Sequence, residues 1–208
     1  MLLKRKILAI SGSPRKNGNT DYLIDCFVKP AKNRKIDLKV LYLRDLDIHA
    51  CTGCEKCRKD KTCKNFSDDM VGIYPLIYES VGIIIGSPTH NYNIPALMKS
   101  FIDRLYCFYD FTDDRPRQYS SRLANQGRQA IIFGVGEQET MEEFGFTLEA
   151  LEMPLKALGY TTMFKLPVLG IFDKGAVKDK KDIVLKAEKA GLEMVKYIEN
   201  LVIPTSNE

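Results

Sequence analysis

The chain has 208 residues, 45% of them apolar and 28% charged, the make-up of an ordinary globular protein long enough for one sizeable core. A formal net charge of +4, without a long basic run or a basic helical face, gives no reason to expect a nucleic-acid partner. No segment approaches the roughly 18 consecutive apolar residues of a membrane helix, and Met1–Lys6 lacks the apolar stretch of a secretory leader. A cytoplasmic location without membrane attachment is therefore expected.

Strand and helix signals alternate along the chain. Lys6–Ser11 reads as a first strand, and a loop rich in Gly, Ser and Asn follows it. A helix over Asn19–Val28, closed by Pro30, leads to a second strand at Leu38–Leu43. The segment His49–Phe66 carries four cysteines. A helix from Ser67 places Met70, Ile73, Tyr74 and Ile77 on one face, with Pro75 as a candidate kink. Val81–Gly86 is a continuous apolar run suited to a buried parallel strand, and a helix is expected over Pro95–Tyr106. The polar stretch Asp110–Arg128 reads as a surface loop, with a flap or a subunit contact as the sharper alternatives. Gln129–Val135 is a fourth strand, Thr140–Leu158 a helix bent at Pro154, and Thr161–Phe164 a fifth strand. Ile183, Ala187, Ala190, Met194, Ile198 and Leu201 mark the apolar stripe of a last helix. Five strands, each followed by a helix, predict an α/β fold: a doubly wound five-stranded parallel sheet in one domain over 1–208, with a cysteine-rich loop at 47–66 after strand two.

Two loops carry chemistry. The first, Ser11-Gly12-Ser13-Pro14-Arg15-Lys16-Asn17-Gly18-Asn19-Thr20, has no Walker lysine and no dinucleotide fingerprint. Its hydroxyls at Ser11, Ser13 and Thr20, the Asn19 amide, the Arg15 cation and the following helix N-terminus suit a bound monophosphate. The plain alternative is a polar turn capping a helix. The second loop, Gly86-Ser87-Pro88-Thr89-His90-Asn91-Tyr92-Asn93-Ile94-Pro95, follows strand three. In a doubly wound sheet it faces the first loop across the crevice where the strand order reverses. Backbone N–H groups with Asn91 and Tyr92 then suit a flat heteroaromatic ring, against the alternative of an ordinary proline turn.

These residues resemble a known family. Ser11–Arg15 with Gly18–Thr20 is similar to the FMN-phosphate loop of the NAD(P)H-dependent FMN reductases of the flavodoxin-like superfamily. Ser87–Tyr92, followed by Pro95–Lys99 and Phe101–Arg104, is similar to that group's flavin-ring loop and helix. His90 stands where the group usually has an aromatic residue. The run Cys51-x2-Cys54-x2-Cys57-x5-Cys63 narrows the resemblance to the iron–sulfur flavoproteins. It implies FMN held by Ser11, Ser13, Arg15, Asn19, Thr20, Ser87, Pro88, Thr89, His90, Asn91 and Tyr92. It also implies a homodimer or homotetramer.

Four thiolates in one compact run suit a [4Fe–4S] cluster on Cys51, Cys54, Cys57 and Cys63. A structural zinc site normally uses two separated C-x2-C pairs, and a redox thiol pair needs only two cysteines; both remain as alternatives. Cys26 and Cys107 read as buried helix residues. Lys56, Arg58, Lys59, Lys61 and Lys64 outnumber Glu55 and Asp60 around the run, which suits an acidic, ferredoxin-like electron carrier. The function expected is electron transfer between cluster and flavin, with a small-molecule acceptor. One alternative is an NAD(P)H-dependent FMN or quinone reductase with a structural or zinc-binding cysteine loop. There, Arg115, Arg117, Arg122 and Arg128 are candidate nicotinamide-phosphate contacts, though they read first as surface charges. A non-enzymatic redox sensor is the third reading.

Overall fold

The computed structural model describes residues 3–202, so Met1, Leu2 and 203–208 of the expected domain lie outside the described residues. Five strands form one sheet: β1 (Lys4–Ser11), β2 (Asp37–Tyr42), β3 (Ser80–Pro88), β6 (Gln129–Val135) and β7 (Thr161–Val168). All pairings are parallel, in the order β2-β1-β3-β6-β7. This is the flavodoxin-like order, with its reversal between β1 and β3.

Alternation along the buried strands divides the core into two layers. Leu8, Ile10, Ile83, Ile85 and Ile132 point to one layer, where they meet α3 (Met70–Glu79), α4 (Ala96–Asp103) and α6 (Thr147–Ala157). Ile7, Ala9, Ile84, Ile131 and Phe133 point to the other, against α1 (Asn19–Val28) and α7 (Lys181–Asn200). Where α1 begins and ends agrees with the sequence; a 3-10 turn through Pro30 follows it. Pro75 lies inside α3 without ending it. None of the described helices is long and apolar enough to cross a membrane.

Three expectations are corrected. The helix expected over Thr140–Leu158 is two helices, α5 (Met141–Phe144) and α6, and the break falls at Gly145 rather than Pro154. Gly145 has φ +69, and a Cβ there would sit 2.4 Å from the Tyr92 carbonyl oxygen. The chain turns here to let Phe146 N–H donate to that same oxygen at 2.8 Å. Residues 110–128 are not a plain surface loop. They contain most of an antiparallel hairpin, β4 (Tyr109–Phe111) with β5 (Tyr119–Ser121), held by a cluster of Tyr106, Tyr109, Phe111 and Tyr119 rings. Arg128 is not a surface charge: it is 1% exposed and donates to the carbonyls of Ile77, Tyr78 and Ser80 at 2.5–2.8 Å. The orphan carbonyls at the α3 C-terminus need a buried donor, and the guanidinium supplies it.

On the sheet's far side Glu152 of α6 is clasped by Lys165 of β7 at 2.7 Å and Lys156 at 2.9 Å. The Lys165 bond, then the Lys156 bond, lowers its carboxyl to about 2. A depressed carboxyl stabilises the fold above its unfolded value and loses that contribution as pH falls through the folded one. The stability advantage of the native chain over Glu152→Gln should therefore shrink from about pH 4.3 downward and vanish near pH 2, read by urea midpoints across that range. Gly86→Ala should cost about 1–3 kcal/mol in urea unfolding, because a Cβ would meet the Phe133 ring at 2.0 Å and the paired strands cannot separate.

Candidate functional site

The first loop is built from behind. The Asp21 carboxylate, in the first turn of α1, accepts Ser11 Oγ at 2.7 Å, Asn17 N–H at 2.8 Å and Arg44 Nη1 at 3.0 Å. Arg44 also donates to the Ser13 carbonyl at 3.2 Å. Ser13 Oγ accepts the Arg15 N–H at 3.2 Å, tightening the turn. The helix cap is Gly18, and no side chain caps it. The first bond of the helix is Tyr22 N–H to Gly18 O, so the N–H groups of the first turn have no intrahelical partner. They point at the crevice mouth, where an anion gains from both the free donors and the helix dipole.

Asn19 does other work. Its Nδ2 donates to Asp173 O at 2.9 Å, and its Oδ1 accepts Gly175 N–H at 2.9 Å and Val177 N–H at 3.2 Å. Its amide thus fastens the loop after β7 to the start of α1. Arg15 donates to Phe172 O at 3.3 Å and lies over the Phe172 ring at 4.8 Å, so its cation sits at the rim.

The second loop is a tight turn. His90 and Asn93 exchange backbone bonds of 2.7 and 3.1 Å, and Asn91 and Tyr92 between them have φ of +48 and +65. Two positive φ values are the mark of a type I′ turn. Thr89 bonds Thr147 Oγ1 at 2.9 Å and Val135 O at 2.8 Å.

One cleft is lined by Ser13, Arg15, Asn19, Thr20, Pro88, Thr89 and His90 together. Ser11 and Ser87 stand behind it, their hydroxyls on Asp21 and Pro88 O. Asn91 and Tyr92 border a neighbouring hollow with Glu139 and Thr140. The sequence reading missed a third wall: Gly136, Glu137 and Gln138 after β6, with Phe172 and Lys174 after β7. The signal was present, since every strand of a parallel sheet delivers its following loop to the same edge. Gln138 Oε1 on this wall is buried without a partner, an acceptor fit for a ring N–H. Free first-turn donors, a rim cation and this orphan acceptor fit a phosphorylated flavin.

The cysteine segment is clamped at its base. Asp68 pairs with Arg104 at 2.5 and 3.0 Å, with side-chain exposures of 0% and 1%. Arg104 also donates to His49 O at 2.9 Å, and Asp68 accepts the His49 N–H at 3.1 Å. Asp69 and Asp47 close the next rung, and Phe66 lies between Arg104 and a His49 ring stacked 5.0 Å away. Burial opposes both charges, but Arg104 and the His49 amide hold the Asp68 carboxyl below its ordinary value. The α3 helix starts at Met70, three residues later than expected, because Asp68 and Asp69 serve this clamp.

Cys51, Cys54, Cys57 and Cys63 all line one cavity of about 330 Å³ with Phe66, Arg104 and Tyr106. All six cysteines are free. Gly53 N–H donates to Cys51 Sγ at 3.4 Å, and the Lys56 N–H, first among several causes, lowers the Cys54 thiol. Burial, then the neighbouring Cys63, Cys51 and Cys54, raises Cys57. Cys57 opens a single-turn helix, α2 (Cys57–Asp60). Among the described residues no three Cys, His, Asp or Glu side chains stand close enough to chelate a single ion. Four soft sulfur donors around a cavity, with backbone N–H groups on two of them, fit a cluster that occupies space between its ligands. Cys26 and Cys107 are buried as expected, and burial pushes Cys107 up to about 12.

The sequence profile of the NADPH-dependent FMN reductase family matches residues 5–141. An iron–sulfur flavoprotein of Archaeoglobus fulgidus is 36% identical over 100 residues, 48% of this chain and 45% of that protein. One of Methanocaldococcus jannaschii is 31% identical over 138 residues, 65% of this chain and 66% of that protein. The chain thus spans about half to two thirds of the length of the curated relatives it matches. Among solved structures, an FMN-dependent NADH-azoreductase from Bacillus anthracis superposes with TM-score 0.64 at 16% identity, covering 94% of this chain and 99% of that one. An archaeal flavodoxin superposes at 0.54 with 12% identity, covering 94% and 99%; both likenesses bear on the fold alone. With its two-loop crevice and its compact cysteine run, the chain belongs to the NADPH-dependent FMN reductase family, on the iron–sulfur flavoprotein side of the flavodoxin-like superfamily.

Proposed function

We propose that the chain is an electron-transfer flavoprotein coupling a [4Fe–4S] cluster on Cys51, Cys54, Cys57 and Cys63 to FMN in the crevice. The observation that carries this reading is that four free cysteines line one cavity while α4 runs from the loop beside the crevice to the Arg104 clamp beneath those cysteines. When bound, FMN supplies one- and two-electron chemistry and the cluster one-electron transfer, a junction between carriers and small acceptors.

The chain's own residues bind and orient. Ser13, Thr20 and the first-turn N–H groups of α1 receive the phosphate, and Arg15 balances its charge. Asn19 keeps the wall after β7 in place, so that Phe172 and Lys174 bound the cleft. Thr89, His90 and Gln138 line the cleft where the ring would lie, and Gln138 Oε1, buried without a partner, would accept a hydrogen bond from a ring N–H. The Lys56 N–H favours the thiolate form of Cys54, the form that ligates iron. Lys56, Lys59 and Lys64 present positive charge to an acidic, ferredoxin-like carrier. The working form in this reading is a cytoplasmic homodimer or homotetramer.

A second reading, NADPH-dependent reduction of flavin or quinone, is favoured by the description of the matching family and by Arg15 and Lys174 at the cleft mouth. Protein purified without oxygen separates the two. About four iron and four acid-labile sulfide per chain, beside flavin bands, is the expected outcome. Flavin without iron, bleached rapidly by NADPH, would favour the reductase. Cys63→Ser should lower iron content to less than about half while flavin content stays unchanged. Arg104→Met should cost about 3–5 kcal/mol in urea unfolding, because Asp68 is left buried and unpaired; a loss under about 1 kcal/mol would show that the clamp does not hold the loop.

A further inference from the structure

The single-turn helix α2 carries Cys57 and is bounded by two residues in the left-handed region, Glu55 at φ +56 and Lys61 at φ +58. Neither is a glycine, and a side chain disfavours this conformation, so both must be held by their surroundings. Both are held by the hairpin β4–β5, across the chain from them. Glu55 Oε1 accepts Arg117 Nη1 at 2.8 Å, and Glu55 Oε2 lies 3.5 Å from Arg58 Nη1. Arg58 in turn donates to Thr112 O at 3.4 Å and Asp113 at 3.2 Å. Lys61 pairs with Asp110, and its carbonyl accepts Arg122 Nη2 at 2.9 Å. Thr112 and Gln118 lock the hairpin itself through bonds of 3.0 Å in both directions.

We propose that Arg117 is a positioning residue for cluster ligation: through Glu55 it straps the hairpin over the cysteine segment and fixes the turn that brings Cys54 and Cys57 to one cavity. This rests on the cluster reading for its purpose, but the strap itself is a property of the polypeptide. The Arg117 and Glu55 side chains are 20% and 44% exposed, so the pair contributes at the level of a partly screened ion pair, about fivefold in an opening equilibrium. Arg115 sits two residues away and has no ion-pair partner among the described residues, which makes it the matched control.

The test has two arms. In the iron-free, reduced protein, hydrogen exchange of the amides of 53–61 should quicken about fivefold in Arg117→Met. It should return toward the native rate in Arg117→Lys and stay native in Arg115→Met, with the thermal midpoint of the whole domain unmoved. In the iron-loaded protein, loss of cluster absorbance to an iron chelator should quicken by a similar factor in Arg117→Met and in Glu55→Gln. The double variant should be no faster than Glu55→Gln, since the Arg117 contact is already lost there. Native exchange rates in Arg117→Met, or an additive double variant, would overturn the proposal. A protein that takes up no iron in any variant would sink the cluster reading alone, and the exchange arm would still decide the strap.

Discussion

A parallel sheet must reverse its strand order somewhere if helices are to cover both faces, and here the reversal falls between β1 and β3. The chain leaving β1 goes to α1 on one face, and the chain leaving β3 goes to α4 on the other. The ends of the two strands are thereby left uncovered, side by side. The remaining chemistry follows from that opening. The free donors of α1 face into it, the His90–Asn93 turn forms its opposite lip, and the loops after β6 and β7 wall its back. The two buried layers fix these loops, because each follows a strand whose last residues pack into them.

The cysteine segment obeys a different constraint. It leaves the sheet after β2 and has no ladder of its own to rest on, so its ends are brought together by charge. Asp68 and Arg104, both out of contact with water, form a paired and hydrogen-bonded unit that joins His49 to Met70 and ties both to the end of α4. A buried pair of this kind adds little over an apolar substitute, and its use is to specify one arrangement among many. The aromatic hairpin then closes over the segment from outside. The loop is held from below by a pair hidden from solvent and from above by pairs that solvent reaches, and the two are unequal in strength.

The sequence made the strands, α1 and the last helix legible, because periodicity and Pro or Gly boundaries are local signals. The two-loop crevice was legible as well, since it follows from the order of elements and the composition of Ser11–Thr20 and Ser87–Tyr92. The spacing of Cys51, Cys54, Cys57 and Cys63 suited four ligands of one cluster; the structure has the four residues lining one cavity. What was not legible is non-local. Strands of three residues in β4 and β5 leave no periodic trace, and their pairing depends on rings gathered from Tyr106 to Tyr119. Arg128 looked like a surface charge because its partners are backbone carbonyls, which carry no residue signature. Arg44 and Asp21, which support the loop after β1, lie 23 residues apart in sequence and meet only once β2 has paired with β1. Gly145 overrode Pro154 as the helix break because it is pressed against Tyr92, a contact that no local pattern announces.

The two rims of the sheet have a consequence for how the protein behaves at high concentration. The strands at the rims, β2 and β7, each present one row of backbone groups without a strand partner. Such rows are templates for polymerisation between copies. Along β2 the exposed or half-exposed Asp37 and Lys39 put charge of both signs on the rim, and on β7 Lys165 adds a charge while Pro167 removes a donor. These are the residues that oppose strand addition. Fibre-like stacking of copies through the sheet rims is thereby opposed at both edges.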